Sequence, residues 1–107
     1  MRKMIILASL LGGWAMVGWA LEGKLWEVAQ KNKQFSVKHL VIQQGDVVNF
    51  PNQDEFYHNV FSLSPTKTFD LGSYKKGSTA RVTFENKGTV LVQCAIHPQM
   101  EMTIEVR

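Results

Sequence analysis

Short runs in which apolar and polar residues alternate constrain the fold of residues 21–107 more than any other feature. In Ala80–Phe84, for example, Val82 and Phe84 fall on one face of an extended chain, as in a half-buried strand. No window in this part holds the apolar stripe of an amphipathic helix. We therefore expect six or seven short strands, drawn from the runs 25–29, 35–37, 40–43, 47–50, 56–63, 80–84, 89–94 and 102–106.

Turn-forming residues separate these runs and predict how the strands connect. The stretch Pro65–Gly77 is rich in Pro, Gly, Ser and Thr, and we interpret it as an excursion without a long strand. Asn86-Lys87-Gly88 predicts a hairpin turn. Short strands at this spacing favour an antiparallel β-sandwich.

The first 20 residues have the character of a targeting segment. Arg2 and Lys3 precede a run from Met4 to Ala20 that carries no charge, and Gly18-Trp19-Ala20 offers small residues at a signal-peptidase site. We predict a secretory signal peptide at 1–20 and one domain at 21–107, delivered to the periplasm. An uncleaved N-terminal membrane anchor is the alternative.

Charge and cysteine content narrow the function classes. The chain has a formal charge of +3, but residues 21–107 hold 10 Lys and Arg against 9 Asp and Glu. We therefore interpret Lys31, Lys33 and Lys38 as a solvated face and not as a nucleic-acid patch. A single cysteine excludes an internal disulfide and a Cys₄ zinc site within this chain. A domain this small gains stability from a cross-link or a bound ion. Because no internal disulfide can form, a metal ion is the remaining candidate for this stabilising role.

The strongest chemical signal is a cluster of metal-binding side chains near the C-terminus. Cys94, His97 and Met100 are each separated by two residues, and His58 lies upstream in another predicted strand. Two His, one Cys and a weak axial Met form the ligand set of a blue-copper site. A structural zinc site would need a stronger fourth ligand, and a covalently attached haem would need a second cysteine. Taken singly, Cys94 could also be a buried apolar residue, His97 a turn residue and Met100 a residue of the core.

The arrangement of these residues resembles the cupredoxins, the plastocyanin/azurin-type blue copper proteins. Cys94-x-x-His97-x-x-Met100 has the short ligand loop of the amicyanin type, and it is similar to domains that accompany methylamine-utilisation proteins. The resemblance covers nearly all of 21–107. It also rests on the following segments: Phe35-Ser36-Val37, Leu40-x-Ile42-x-x-Gly45-Asp46-x-Val48-x-Phe50-x-Asn52-x-Asp54-x-x-x-His58-Asn59-Val60, Phe69-Asp70-Leu71-Gly72 and Tyr74-x-x-Gly77.

This resemblance implies a Greek-key β-sandwich that holds one copper ion per chain. His58, Cys94 and His97 would be its equatorial ligands and Met100 its axial ligand. Asn59 would tie the two ligand loops together close to the thiolate sulfur. Met102 is the alternative axial donor.

The third histidine and three aromatic residues are predicted to have structural roles only. His39 follows Lys38 at a break between two strand runs, which predicts an exposed surface residue. Trp26, Phe50 and Phe84 are predicted to belong to the core.

The functional prediction is a periplasmic one-electron carrier and not an enzyme. The partners expected for such a carrier are redox proteins, a cytochrome or an oxidoreductase, that receive electrons through His97. We expect a monomer that binds no nucleic acid and no membrane beyond the leader. The alternatives are a periplasmic copper chaperone or copper-homeostasis protein, and a metal-free β-sandwich binding module.

Overall fold

The computed structural model of this protein describes residues 23–107, so the predicted leader at 1–20 lies outside the described residues. Within 23–107 the chain forms strands and no helix, and therefore no helix that could cross a membrane. The ten strands are β1 Leu25–Glu27, β2 Gln30–Lys31, β3 Gln34–Phe35, β4 His39–Ile42, β5 Val47–Asn49, β6 His58–Ser62, β7 Phe69–Tyr74, β8 Arg81–Thr83, β9 Gly88–Cys94 and β10 Glu101–Val106.

The strands form two sheets and a small ribbon. One sheet has the order β1-β5-β8, the other has the order β4-β10-β9-β6-β7, and β2 pairs with β3. Apolar side chains from both sheets share one core, to which Val48 and Val82 contribute from the first sheet and Val60, Val90 and Ile104 from the second. The predicted all-β sandwich is confirmed. Two of its strand pairs, β1 with β5 and β4 with β10, run parallel, and the others run antiparallel.

Strict alternation along β6 and β9 places two of the predicted ligands on the inner face of the larger sheet. Every second residue of β6 is buried, beginning with His58, and every second residue at the end of β9 is buried, ending with Cys94. Successive side chains of a strand point to opposite faces, so both residues share the face that carries Val60. Because Val60 lies opposite Cys94 in the antiparallel ladder, His58 reaches just beyond the end of β9.

The interpretation of Pro65–Gly77 as an excursion without a long strand is wrong. Phe69–Tyr74 forms β7, a six-residue edge strand that pairs with β6. Gly72, which resembles a strand breaker in the sequence, has a φ of 74° at an irregularity in this pairing. Its amide donates to the Asp70 carboxylate at 2.9 Å. An edge strand can absorb one such residue without losing its pairing.

The prediction of a hairpin turn at Asn86-Lys87-Gly88 is also wrong. The strands on either side of it belong to different sheets, because β8 pairs with β5 and β9 pairs with β10 and β6. The segment therefore crosses from one layer of the sandwich to the other. The hairpin that the sequence analysis missed joins β2 to β3 through Asn32 and Lys33, which have φ values of 57° and 58°.

The predicted core residues and the predicted surface histidine lie where expected. Phe50 and Phe84 are buried, and Trp26 packs against the core while partly exposed. His39 is an exposed residue at the start of β4, where its Nδ1 lies 2.7 Å from the Thr103 hydroxyl.

Asp46 joins the turn before β5 to the first strand. Its buried carboxylate accepts the Lys24 and Gln43 amides and the Trp26 indole N–H, at 2.8 to 2.9 Å. Burial alone would raise the pKa of Asp46, but these hydrogen bonds outweigh it and leave the pKa below its usual value. The stability that Asp46 contributes is therefore present above its unfolded pKa of about 3.9 and is lost as the pH falls through the lower folded pKa.

We expect Asp46→Ala to lower the free energy of unfolding by about 3 kcal/mol at pH 7, because it leaves three donors without their acceptor. Urea unfolding measures this loss, and the deficit should shrink as the pH falls through the folded pKa of Asp46. Glu27→Ala, which removes an exposed carboxylate from β1, should change stability by less than about 0.5 kcal/mol. Equal losses in the two variants would contradict this assignment.

Candidate metal centre

Three of the predicted ligands meet at one end of the sandwich. His58 is the first residue of β6, Cys94 is the last residue of β9, and His97 lies in the loop that leads to β10. His58 and Cys94 are buried and His97 is half-buried. One ligand atom of each residue lies within 4.8 Å of those of the other two. Two strands and one loop thus bring together residues that are 36 positions apart in the sequence.

The spacing of these atoms fits a first-row metal ion. The Cys94 Sγ lies 3.5 Å from the His58 Nδ1 and 3.8 Å from the His97 Nδ1. Metal–sulfur and metal–nitrogen bonds of about 2.3 and 2.0 Å at 120° to one another would separate sulfur from nitrogen by about 3.7 Å. A soft thiolate with two imidazoles is the donor set that suits copper in both of its oxidation states. These side chains are therefore already arranged as a copper site.

The loop between Cys94 and Met100 is closed by its own backbone. The Met100 amide donates to the His97 carbonyl at 2.9 Å, and the Cys94 amide donates to the Met100 carbonyl at 3.3 Å. The Ala95 amide donates to the Asn59 carbonyl at 2.9 Å, which fastens this loop to β6. These hydrogen bonds fix the position of His97 relative to Cys94 without contributions from side chains.

Asn59 joins the two ligand segments through its backbone. Its amide lies 3.5 Å from the Cys94 Sγ and points toward the sulfur, and its carbonyl accepts the Ala95 amide. The Asn59 side chain donates to Asp70 of the edge strand at 2.9 Å. The resemblance implied that Asn59 connects the two ligand segments. In the structure, the atoms of Asn59 that contact the ligand loop belong to its main chain.

Asp54 is a residue of the site to which the sequence analysis assigned no role. Its carboxylate is 6% exposed, and its Oδ2 lies 2.7 Å from the His58 Nε2. The two oxygens also accept the amides of Asn32 and Lys33 at the tip of the β2–β3 hairpin. The signal available in the sequence was an Asp four residues before the first His ligand, a spacing that cannot by itself identify a contact across a loop.

The charge state of Asp54 follows from these contacts. Burial would raise the pKa of Asp54, but the hydrogen bonds from His58 and from the two hairpin amides outweigh it and leave the pKa below its usual value. Asp54 is therefore an anion that accepts the Nε2 proton of His58. This fixes the tautomer in which the Nδ1 lone pair is free to bind a metal.

His97 lies beneath an exposed aromatic ring. Phe56 is 37% exposed, and its ring centroid lies 5.2 Å from that of His97 and 5.4 Å from that of His58. Burial, together with the positive charge of Lys33 and the nearby His58, lowers the pKa of His97. A lower pKa favours the neutral imidazole, which is the form that binds a metal.

Met100 and Met102 are both buried, and their positions in the chain differ. Met100 ends the ligand loop, where its amide donates to the His97 carbonyl and its carbonyl accepts the Cys94 amide. Met102 lies within β10, opposite Val92 in the ladder with β9. The assignment of the axial donor to Met100 therefore stays a prediction that a pair of variants can test.

We expect Met100→Leu to retain copper and to raise the reduction potential, because loss of the thioether weakens binding of Cu(II) more than binding of Cu(I). A tenfold difference between these two losses corresponds to about 59 mV for a one-electron couple. Cyclic voltammetry measures the change, and Met102→Leu, which is equally buried, is the matched control. A rise in Met102→Leu with no change in Met100→Leu would assign the axial position to Met102.

Comparisons with known proteins agree with this site. The family model of copper binding proteins, plastocyanin/azurin family, matches residues 24–107. None of the curated proteins compared with the chain matches it.

Solved structures share the fold. A Cu-containing nitrite reductase from Thermus scotoductus SA-01 is 28% identical with a TM-score of 0.73, over 81% of this chain and 23% of that one. The chain thus spans only about a quarter of the reductase. A mutant of amicyanin in its reduced Cu(I) form at pH 4 is 23% identical with a TM-score of 0.72, over 78% of this chain and 82% of that one. A purple cupredoxin from Nitrosopumilus maritimus is 21% identical with a TM-score of 0.68, over 77% of this chain and 99% of that one.

The match to the family model covers both ends of the sandwich and every residue of the predicted site. It agrees with the assembled His58, Cys94 and His97 side chains and with a donor set suited to a single copper ion. This chain belongs to the plastocyanin/azurin family of copper-binding proteins.

Proposed function

We propose that this protein is a one-electron carrier that exchanges electrons with redox partner proteins through a type 1 copper site. The observation that carries the proposal is the arrangement of one cysteine sulfur and two imidazoles, at 3.5 and 3.8 Å, beneath an exposed aromatic surface. Copper bound there would supply the chemistry by alternating between Cu(I) and Cu(II). These ligands come from one chain, so each chain can hold one copper ion without a contribution from a partner subunit.

The surroundings of the ligands hold them in one geometry. Asp54 fixes the His58 ring, the backbone of Asn59 approaches the Cys94 sulfur, and the closed loop fixes His97. Ligands that cannot move give similar coordination in both oxidation states, so electron transfer requires little rearrangement. Such rigidity favours a carrier over a chaperone, which must release its metal.

The half-buried His97 provides the route to a partner. Phe56, Tyr57 and Ile96 are exposed at this end of the sandwich, and Pro98 follows the ligand in the same loop. We call these four residues the apolar patch. A redox partner seated on the apolar patch would lie close to the His97 ring, and burial of apolar surface would stabilise the complex.

We further propose that the chain acts as a carrier and not as an enzyme, and that its leader directs it to the periplasm. The similarity to part of a nitrite reductase means that related domains also occur within enzymes. Fractionation of the cells that produce the protein tests the location. An assay for nitrite reduction by the copper-loaded protein tests whether it is an enzyme, and we expect no turnover.

Reconstitution and electron exchange test the central proposal. The protein loaded with Cu(II) should show an intense visible charge-transfer band and the EPR spectrum of a type 1 site. The band should bleach on reduction and return on oxidation by a cytochrome. Rapid surrender of the metal to a competing chelator, with no electron exchange, would instead support a copper chaperone.

A further inference from the structure

Two of the three lysines that the sequence presents as a solvated face, Lys33 and Lys38, lie close to the copper site. We propose that this end of the domain docks a redox protein whose own interface is acidic, with Lys33 as the principal contact. The inference rests on the proposed function and adds to it the charge of the partner. Three features of the structure support it: the fixed backbone of Lys33, the position of its ammonium group beside the Phe56 ring, and the neighbouring lysines that form no ion pair.

Lys33 is held in place by the metal site itself. The β2–β3 hairpin turns through Asn32 and Lys33, and both of their amides donate to the Asp54 carboxylate, at 2.6 and 3.1 Å. The same carboxylate bonds the His58 ring. The backbone of Lys33 is therefore fixed to the first copper ligand through one buried side chain.

The ammonium group of Lys33 lies beside the apolar patch. Its Nζ is 5.7 Å from the centroid of the Phe56 ring, and that ring packs on His97. An ammonium over an aromatic face is attracted by the ring, so Lys33 remains at the edge of the patch. A positive charge thus borders the proposed point of electron exit.

Other lysines extend this positive border. Lys38 lines a shallow hollow with Lys33, Gln99 and Glu101, directly outside Met100. Lys75 and Lys76 follow Tyr74, which lies opposite His58 in the pairing of β7 with β6.

Ion pairs neutralise some of these charges and leave others free. Lys76 pairs with Glu55, whereas Lys33, Lys38 and Lys75 form no ion pair among residues 23–107. Away from the copper site, Lys67 pairs with Glu85, and Arg107 pairs with Glu105. Lys24, Arg81 and Lys87 are also unpaired among these residues, and Glu101 adds one unpaired carboxylate to the hollow. The copper end is therefore distinguished by the closeness of Lys33 and Lys38 to the apolar patch.

This distribution predicts the chemistry of the partner. An interface with carboxylates around an apolar centre would be attracted to the copper end, and a basic interface would be repelled. The attraction acts mainly on the association rate and weakens as salt shortens the screening length to about 10 Å at 0.1 M.

Electron exchange with two cytochromes c of opposite net charge tests the proposal, with the copper-loaded protein in every case. In stopped-flow measurements at low ionic strength, the double substitution Lys33→Gln and Lys38→Gln should slow exchange with the acidic cytochrome about fivefold. It should quicken exchange with the basic cytochrome. Both effects should fade as salt is added.

Lys87→Gln is the matched control. Lys87 is exposed and precedes β9, whose seven residues separate it from Cys94 by about 20 Å. It should leave both exchange rates unchanged. The visible spectrum of the Cu(II) form of the double variant should match that of the original protein, which would show an intact copper site.

A binding measurement complements the kinetics. Backbone amide shifts of the Cu(I) protein, recorded during titration with the acidic cytochrome, should change at Lys33, Phe56 and Ile96 and not at Lys87. Equal effects of Lys87→Gln, rates that ignore ionic strength, or faster exchange with the basic cytochrome would overturn the inference while leaving the carrier function intact. Failure of the original protein to exchange electrons with either cytochrome would overturn the proposed function as well.

Discussion

Cys94→Ser is expected to abolish the intense visible band of the Cu(II) form and to weaken copper binding by about 100-fold or more. The band requires a thiolate bound to the metal, and a serine hydroxyl is neither anionic at neutral pH nor soft. Removal of a direct ligand should weaken copper binding more than the 10–100-fold that is typical when a residue that only contacts a ligand is removed. Optical titration with Cu(II) and competition with a chelator measure the two effects.

The same variant should separate metal binding from folding. Cys94 is 1% exposed, and a hydroxyl of similar size can still accept the Asn59 amide, so the metal-free protein should lose only about 1 kcal/mol. Copper at 1,000 times its dissociation constant should stabilise the original protein by about 4 kcal/mol. At the same copper concentration, binding that is 100-fold weaker would stabilise Cys94→Ser by only about 1.4 kcal/mol, and still weaker binding by less. A band that survives the substitution, or an unchanged response of the melting temperature to copper, would contradict the assigned ligand.

Asp54→Asn is expected to weaken copper binding 10–100-fold although Asp54 is not itself proposed as a ligand. The carboxylate accepts the Nε2 proton of His58 and so leaves Nδ1 free. An asparagine that turns its amide group toward Nε2 donates a proton there and favours the opposite tautomer, in which Nδ1 carries the proton. Copper must then displace that proton before it can bind.

Two measurements distinguish this role from a loss of folding. Nitrogen chemical shifts of the His58 ring in the metal-free protein should show the change of tautomer directly, and competition with a chelator gives the affinity. Asp70→Asn is the matched control, because Asp70 is exposed and bonds the Asn59 side chain and the Gly72 amide but no ligand ring. If both variants bind copper equally well, Asp54 does not position His58.

Local patterns in the sequence were sufficient to predict most of the strands and the kind of metal that the chain binds. Apolar residues alternate along β9 and β10 because each strand has one buried face, which carries an apolar residue at every second position. The chemistry of a thiolate and two imidazoles is a property of the residue types themselves.

Pairing between distant segments could not be predicted in the same way. Gly72 favours a break on its own, yet the Asp70 carboxylate and the neighbouring β6 accommodate it within an edge strand. The turn at Asn86-Lys87-Gly88 has the composition of a hairpin, and only the sheet to which each flanking strand belongs makes it a crossing between layers.

Residue types and alternation over a few positions were enough to predict which metal-binding groups the chain offers and that strands would carry two of them. The surroundings of those groups depend on how distant segments pack against one another. The amides of Asn32 and Lys33 reach Asp54, and the Lys33 ammonium reaches the Phe56 ring, only because the β2–β3 hairpin folds over the loop before β6. Contacts of this kind depend on the path of the backbone between segments, about which neighbouring residues carry no information.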